Sequence, residues 1–291
     1  MIKKIFFDIT NHCNADCLHC FTLSNSYNEE PELSNDLISK ILSSLNDYGL
    51  SSVSIGGGEP LTRNLFDILG NKTFETQFSI TTNGTILDDK LLDVLIKNRF
   101  KITVSLDSLS QSTTSKIRKG IKTSHVLNNI SKLTKIPILH ENLAIRTTVS
   151  TVNTTEIIDI IDYCDSMNIK TLKLNTTNSF GRAKSNNHLI PDFKTFNQIM
   201  SLAQNYCTAN NKHVKLVLPI KKHLDSKSNC QLGNNSLYIN QHGDIYPCAF
   251  SERRLKLGNF FSLNKEEFLQ LSTSFTHHNQ VCSNCLINRY K

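Results

Sequence analysis

Apolar residues over the first two thirds of the chain fall into two alternating kinds of segment. Short strand-like runs, rich in β-branched and aromatic residues, occupy 5–10, 52–55, 77–81, 101–106, 144–150 and 171–174. Between them apolar residues return every three to four positions, as in helices that bury one stripe. The first such helix opens on Ser34, carries Leu37, Ile38, Ile41, Leu42 and Leu45 on one side, and stops at Gly49. Others follow Asp88, run through Val126, Leu127, Ile130 and Leu133, begin near Thr154, and span 191–206. Strand and helix in turn predict an α/β fold, a parallel sheet covered by helices. In parallel barrels the chemistry gathers in loops that leave the carboxyl ends of strands.

Past about residue 212 the pattern changes. Residues 213–218 read as one more strand, followed by a polar stretch, a hairpin-like segment and a cysteine-rich tail. A boundary near residue 220 is therefore expected, between a core over 1–215 and a small domain over 220–291.

An apolar content of 38% suffices for a buried core. No segment approaches the roughly 20 apolar residues of a membrane span. Lys3 and Lys4 precede an apolar run that Asp8 breaks at once, too short for a secretory signal. A cytoplasmic chain is expected, in which thiols stay reduced and open to metal. The net charge of +7 is spread without a basic stripe or interleaved aromatics, so neither nucleic acid nor membrane is an expected partner.

Three of the nine cysteines, Cys13, Cys17 and Cys20, lie in one short loop directly after the first strand. Three such thiolates can hold three irons of a four-iron cube and leave the fourth iron open. An open metal position is where a small molecule binds and reacts. Zinc with His12 or His19 as fourth ligand fits the same spacing. A disulfide framework does not suit nine cysteines without a signal peptide. The second strand ends in Gly56-Gly57-Gly58-Glu59-Pro60-Leu61, where glycines allow close backbone approach and a carboxylate can accept from an ammonium. The fourth runs into Ser105-Leu106-Asp107-Ser108, with Ile117-Arg118-Lys119-Gly120 shortly after.

C-x3-C-x2-C in this place, followed by Gly-Gly-Glu at a strand end, resembles the radical SAM enzymes. The resemblance implies a partial (β/α)6 parallel barrel and a 4Fe–4S cluster on Cys13, Cys17 and Cys20. It implies that the open iron is chelated by S-adenosylmethionine, which is cleaved reductively to a 5′-deoxyadenosyl radical. Carried over residue by residue, Gly57, Gly58 and Glu59 hold the methionine ammonium, and Ser105 and Arg118 its carboxylate. His19 stands where the family has an aromatic side chain and is expected to line the adenine. Asn83 closes the third strand at the reactive face, although Asn83-Gly84 is equally a plain turn signal. Ser108 replaces the glycine usual after Asp107, and Lys119 separates Arg118 from Gly120.

The tail carries Cys230, Cys248, Cys282 and Cys285, spaced C-x12-G-x4-C, then Leu257-Gly258-Asn259, then C-x2-C. This resembles the SPASM and twitch extensions of radical SAM proteins, which bind auxiliary clusters. The chain stops six residues after Cys285, so the shorter twitch arrangement is expected, with one auxiliary 4Fe–4S cluster on those four cysteines. A four-thiolate zinc site fits their spacing too. Gly243 is expected to make the turn that brings Cys248 back toward Cys230. Cys164 and Cys207 fall on helices, either as small hydrophobes or as hydrogen-atom donors of the kind a peptide epimerase needs.

The function implied is a radical SAM oxidoreductase that modifies a ribosomally made precursor peptide, with a flavodoxin- or ferredoxin-type electron donor. Phe180-Gly181-Arg182-Ala183 is similar to a stretch common in the peptide-modifying branch. The alternative is a small-molecule dehydrogenase of the aminocyclitol type, which suits the chain's size and the absence of a leader-recognition domain before residue 13. A non-catalytic iron–sulfur protein is a third reading, against which the retained Gly-Gly-Glu and cluster cysteines speak.

Overall fold

A computed structural model describes residues 2–26, 31–70, 72–218, 233, 235–249 and 255–271. In chain order the strands begin with β1 (Lys4–Asp8), β2 (Asp16–Cys17), β3 (Ser52–Gly56), β4 (Gln77–Thr82), β5 (Lys101–Ser105) and β6 (Arg118–Lys119). They continue with β7 (Leu143–Val149), β8 (Thr171–Thr176), β9 (Lys215–Val217), β10 (Ser236–Ile239), β11 (Asp244–Tyr246) and β12 (Gly258–Asn259). The helices are α1 (Asn35–Asp47), α2 (Leu65–Leu69), α3 (Asp89–Lys97), α4 (Gln111–Ile117) and α5 (Thr123–Thr134). After them come α6 (Pro137–Glu141), α7 (Ile157–Ser166), α8 (Phe193–Ala209) and α9 (Lys265–Gln270).

The chain divides into two compact units, one of Met1–His12, Ser26–Ile80 and Ile220–Lys291, the other of Cys13–Asn25 and Thr81–Pro219. In the first, strands run in the order β12-β11-β10-β1-β3-β4. β1 is parallel to both β3 and β10, while β10, β11 and β12 form an antiparallel meander. The apolar stripe expected on the first helix is real: Ile38, Ile41, Leu42 and Leu45 of α1 are fully buried. Ser34 Oγ accepts the Leu37 N–H at 3.3 Å to cap that helix, and Gly49 ends it at φ +76°.

In the second unit β5, β7, β8 and β9 form a parallel sheet, and β2 pairs with β6 as a short antiparallel ribbon. Ile145, Leu172 and Leu174 are completely buried and alternate with polar residues along the same strands. That period of two gives the sheet an apolar side and a polar one. Asp88 and Asp192 cap α3 and α8 through their carboxylates.

The expected strands are all present, with ends shifted by a residue or two; β1 stops at Asp8 rather than Thr10. The 213–218 segment forms β9, and the hairpin beyond it is β10–β11. The pairing of β10 with β1, the β2–β6 ribbon and the short helices α2, α4 and α6 carried no sequence signal used above.

Candidate functional site

The loop holding the first three cysteines lies in the second unit and is fastened at several points. Asn25, in the left-handed region at φ +64°, brackets Cys13: its Oδ1 accepts the Cys13 N–H at 2.8 Å and its Nδ2 donates to the Cys13 carbonyl at 2.9 Å. Cys17 is a β2 residue and pairs across the ribbon with Arg118 of β6. Beyond β8, Arg182 donates from Nε to the Cys17 carbonyl at 2.8 Å and from Nη1 to the Ser24 carbonyl at 2.8 Å. The Arg182 N–H reaches the Cys20 carbonyl at 2.9 Å. A Cβ at Gly181, where φ is +55°, would stand 2.1 Å from that Cys20 oxygen, so glycine is required for this approach.

The thiols are surrounded by donors and cations. Cys20 Sγ lies 3.3 Å from Ser24 Oγ and 3.5 Å from Thr22 Oγ1. Burial pushes the Cys20 thiol up, but the Ser24 and Thr22 hydrogen bonds and Arg182 outweigh it and leave the group below its ordinary value. Cys17 Sγ is 4.0 Å from Arg118 Nη1. There burial wins and the thiol sits above its ordinary value, with Arg118 offsetting part of the rise.

Among the described residues no disulfide joins the cysteines, and no three His, Cys, Asp or Glu side chains gather around a single ion's position. Three thiols on one loop, among hydroxyls and two guanidinium groups, fit the donor set of an anionic, thiolate-held iron–sulfur cluster.

Asp107, just after β5, organises the surroundings of that loop. Its Oδ2 accepts from His19 Nε2 at 2.7 Å and Arg118 Nε at 2.6 Å, and its Oδ1 from the Thr148 N–H at 2.7 Å. Burial raises the carboxyl, yet Arg118 and His19 hold it far below the usual carboxylate range. Burial disfavours the Arg118 cation, but Asp107 more than reverses this and keeps it above its ordinary value. One buried oxygen thus fixes both the histidine before the last loop cysteine and the arginine beside Cys17. Arg118, expected at the cofactor carboxylate, gives its Nε edge to Asp107. Asn83 donates from Nδ2 to Asn14 Oδ1 at 2.7 Å, again within the cysteine loop. Ser105 closes β5 in register with Arg146 of β7.

Gly57, Gly58 and Glu59 belong to the first unit. The Gly58 N–H donates to the Thr10 carbonyl at 2.8 Å, and the Glu59 N–H to the His12 carbonyl at 2.9 Å. A Cβ at Gly57 (φ +123°) or Gly58 would fall 2.2 Å from the carbonyl oxygen of Thr10 or His12 respectively. Two backbones therefore meet where only glycine fits, immediately before Cys13 in sequence. Glu59 is buried, and its Oε1 accepts the Leu61 N–H at 3.1 Å, capping the turn at Pro60–Thr62.

Cys164 is wholly buried on α7, and burial, with a smaller push from Asp165, drives its thiol up to about 12. Cys207 is half-buried on α8, its thiol also raised by burial. Both occupy helix faces rather than strand ends. In the tail, Gly243 makes the β10–β11 turn at φ +80°, and Cys248 follows β11. Cys230, Cys282 and Cys285 lie outside the described residues. No local signal marks Asp107 or Arg182 for these roles, although they lie within the Ser105–Ser108 and Phe180–Ala183 stretches.

A family model described as the Radical SAM superfamily matches residues 7–164, and one for the SPASM iron–sulfur cluster-binding domain matches 230–286. The chain is 26% identical over 263 residues to the antilisterial bacteriocin subtilosin biosynthesis protein AlbA of Bacillus subtilis, covering 88% of this chain and 56% of that protein. It is 31% identical over 137 residues to a probable GTP 3′,8-cyclase of Methanocaldococcus jannaschii, 45% of each chain. It thus spans about half the length of these two relatives. Streptococcus suis SuiB bound to S-adenosylmethionine has the same fold at a TM-score of 0.75 and 18% identity, covering 100% of this chain and 72% of that one. SuiB has also been solved bound to its precursor peptide SuiA.

Proposed function

Because the chain belongs to the Radical SAM superfamily and carries an iron–sulfur SPASM domain, we propose that it matures a ribosomally made peptide by oxidising a C–H bond. One observation carries the reading. The similarity to the subtilosin biosynthesis protein runs through 88% of this chain, whereas that to the cyclase covers 45%. When bound, the clusters and S-adenosylmethionine supply a 5′-deoxyadenosyl radical that removes a hydrogen atom and an acceptor for the electron released in a net oxidation.

The chain's own residues hold and orient these groups. Cys13, Cys17 and Cys20 would ligate the cluster with the open iron, and Cys230, Cys248, Cys282 and Cys285 one auxiliary 4Fe–4S cluster. Gly57, Gly58 and Glu59 would receive the methionine ammonium, Ser105 its carboxylate, and His19 and Asn83 would border the nucleoside. Arg118 supports the loop at Cys17 and, with Asp107, keeps His19 in place. Cys164, wholly buried on α7, and Cys207, on α8, both sit on helices rather than at strand ends, which favours oxidation over epimerisation.

Anaerobic reconstitution tests the reading. About eight irons per chain are expected for two four-iron clusters. Reduced protein should form 5′-deoxyadenosine, and a short peptide encoded beside the gene should raise its yield and leave two hydrogens lighter. Absence of 5′-deoxyadenosine with intact clusters would overturn the activity. Its formation with only a sugar or nucleotide consumed would overturn the peptide substrate.

A further inference from the structure

The polar side of the β5–β7–β8 sheet carries cations that no carboxylate among the described residues pairs with. Ser105, Arg146 and Lys173 are in register across the three strands and so share one row on one face. Their neighbours Ile145, Leu172 and Leu174 are completely buried on the opposite face. Arg146 Nε is buried and has no hydrogen-bond partner. Lys173 Nζ donates to Thr103 Oγ1 at 2.9 Å, a neutral hydroxyl. Among the described residues no carboxylate forms an ion pair with either cation.

This is an unusual thing to leave in a folded protein. Buried charges are normally paired, and buried guanidinium donors normally occupied. Each cation here is further disfavoured by its surroundings. Burial and then Arg118 lower Arg146, while burial, Arg146 and Lys101 lower Lys173. The nearby carboxylate of Asp107 is already paired with Arg118, so it leaves no anion for Arg146. S-adenosylmethionine does not restore the balance, because its single carboxylate arrives with an ammonium and a sulfonium.

We propose that Arg146 and Lys173, beside Ser105 in the same row, form a subsite for a carboxylate of the substrate peptide, either an acidic side chain or the chain's C-terminus, while Ser105 stays with the cofactor. The proposal rests on the peptide reading above and names the chemistry next to the bond that reacts. A guanidinium fork matches a carboxylate in two parallel hydrogen bonds, and the partnerless Nε is one half of such a fork. A triphosphate needs several converging cations, whereas one guanidinium and one ammonium match a single carboxylate. Thr148, two residues beyond Arg146 on β7, gives its N–H to Asp107. A residue anchored there is held beside the network that fixes the cysteine loop.

The test uses reconstituted holoprotein saturated with S-adenosylmethionine and two blocked amino acids, N-acetyl-glutamate methylamide and its glutamine counterpart, followed by ligand-observed NMR. The glutamate probe should bind at least about tenfold more tightly than its neutral isostere, as loss of a charge-assisted bidentate contact implies. Arg146→Met should erase that preference and Arg146→Lys should keep part of it, with S-adenosylmethionine affinity changed by less than about twofold in each. Equal binding of the two probes, or no binding of either to the parent protein, overturns the proposal. So does an Arg146→Met variant that loses about tenfold in S-adenosylmethionine affinity while the glutamate preference persists, because the guanidinium then serves the cofactor. Failure of the peptide reading is visible separately: no encoded peptide stimulates 5′-deoxyadenosine formation, while the glutamate preference stands and supports the subsite.

Discussion

Asp107 holds both His19 and Arg118 on one buried oxygen, so removing its charge does more than delete a hydrogen bond. Asp107→Asn leaves Arg118 buried without a counter-ion, a change that costs about 3–5 kcal/mol in comparable buried pairs. Urea unfolding should show that loss, and one below about 1 kcal/mol would mean the pair is replaceable by water. The pH dependence has a definite sign. The folded carboxyl lies below its unfolded value, so its contribution is complete above about pH 4 and fades as the solution is acidified toward the folded value. The Asn variant should lack that segment of the acid curve. The cysteine triplet and Gly-Gly-Glu were legible because each is written in a few consecutive residues. The role of Asp107 was not, since its bond to His19 joins positions 88 apart in sequence. Arg182 escaped for the same reason, its contact with Ser24 spanning 158 positions.

Among the elements, strands and long helices could be read directly because apolar period and cap agree. Ser34 and Asp88 each accept the backbone N–H three residues on, as their position before an apolar stripe foretold, and Asp192 does the same at the start of α8. The β2–β6 ribbon was invisible, being two residues long on each side and set by its partner rather than by propensity. Two substitutions separate element stability from support of the cysteine loop. Ser34→Ala should cost about 1 kcal/mol by removal of the α1 cap and leave iron content unchanged. Gly181→Ala puts a methyl group into the Cys20 carbonyl and prevents the turn at Gly181–Lys184 from closing on the loop. Reconstituted Gly181→Ala should lose roughly half or more of the iron of the first cluster on gel filtration. Full retention would mean that the loop keeps its shape without this contact.

At the scale of the whole chain, the first unit is completed by strands that arrive late in sequence. β10, the first strand beyond the expected boundary near 220, pairs along its length with β1. The alternating pattern announced a parallel sheet but not that this segment would join it, because pairing between distant strands leaves no local trace. Truncation after Pro219 should therefore remove amide protection from β1 while leaving β7 and β8 protected, as hydrogen exchange would record. Protection of β1 in the truncated chain would show that β3 alone supports it. The two iron centres are expected to be separable in the full chain. Cys17→Ala should abolish 5′-deoxyadenosine formation, whereas Cys248→Ala should retain part of it and lose product from the proposed peptide substrate. Equal, complete loss in both variants, with the second shown to be folded by circular dichroism, would argue against distinct roles.

Arg182 follows Cys17 by 165 positions, yet it is the residue that grips the Cys17 carbonyl. During synthesis at about 5–20 residues per second, the three thiols leave the ribosome roughly ten seconds or more before their clasp is translated. Through that interval they are accessible to whatever carrier delivers iron and sulfide. Once Gly181 and Arg182 have docked, the loop's shape is fixed around Cys17, while Cys13 and Cys20 stay partly exposed and so still within a carrier's reach.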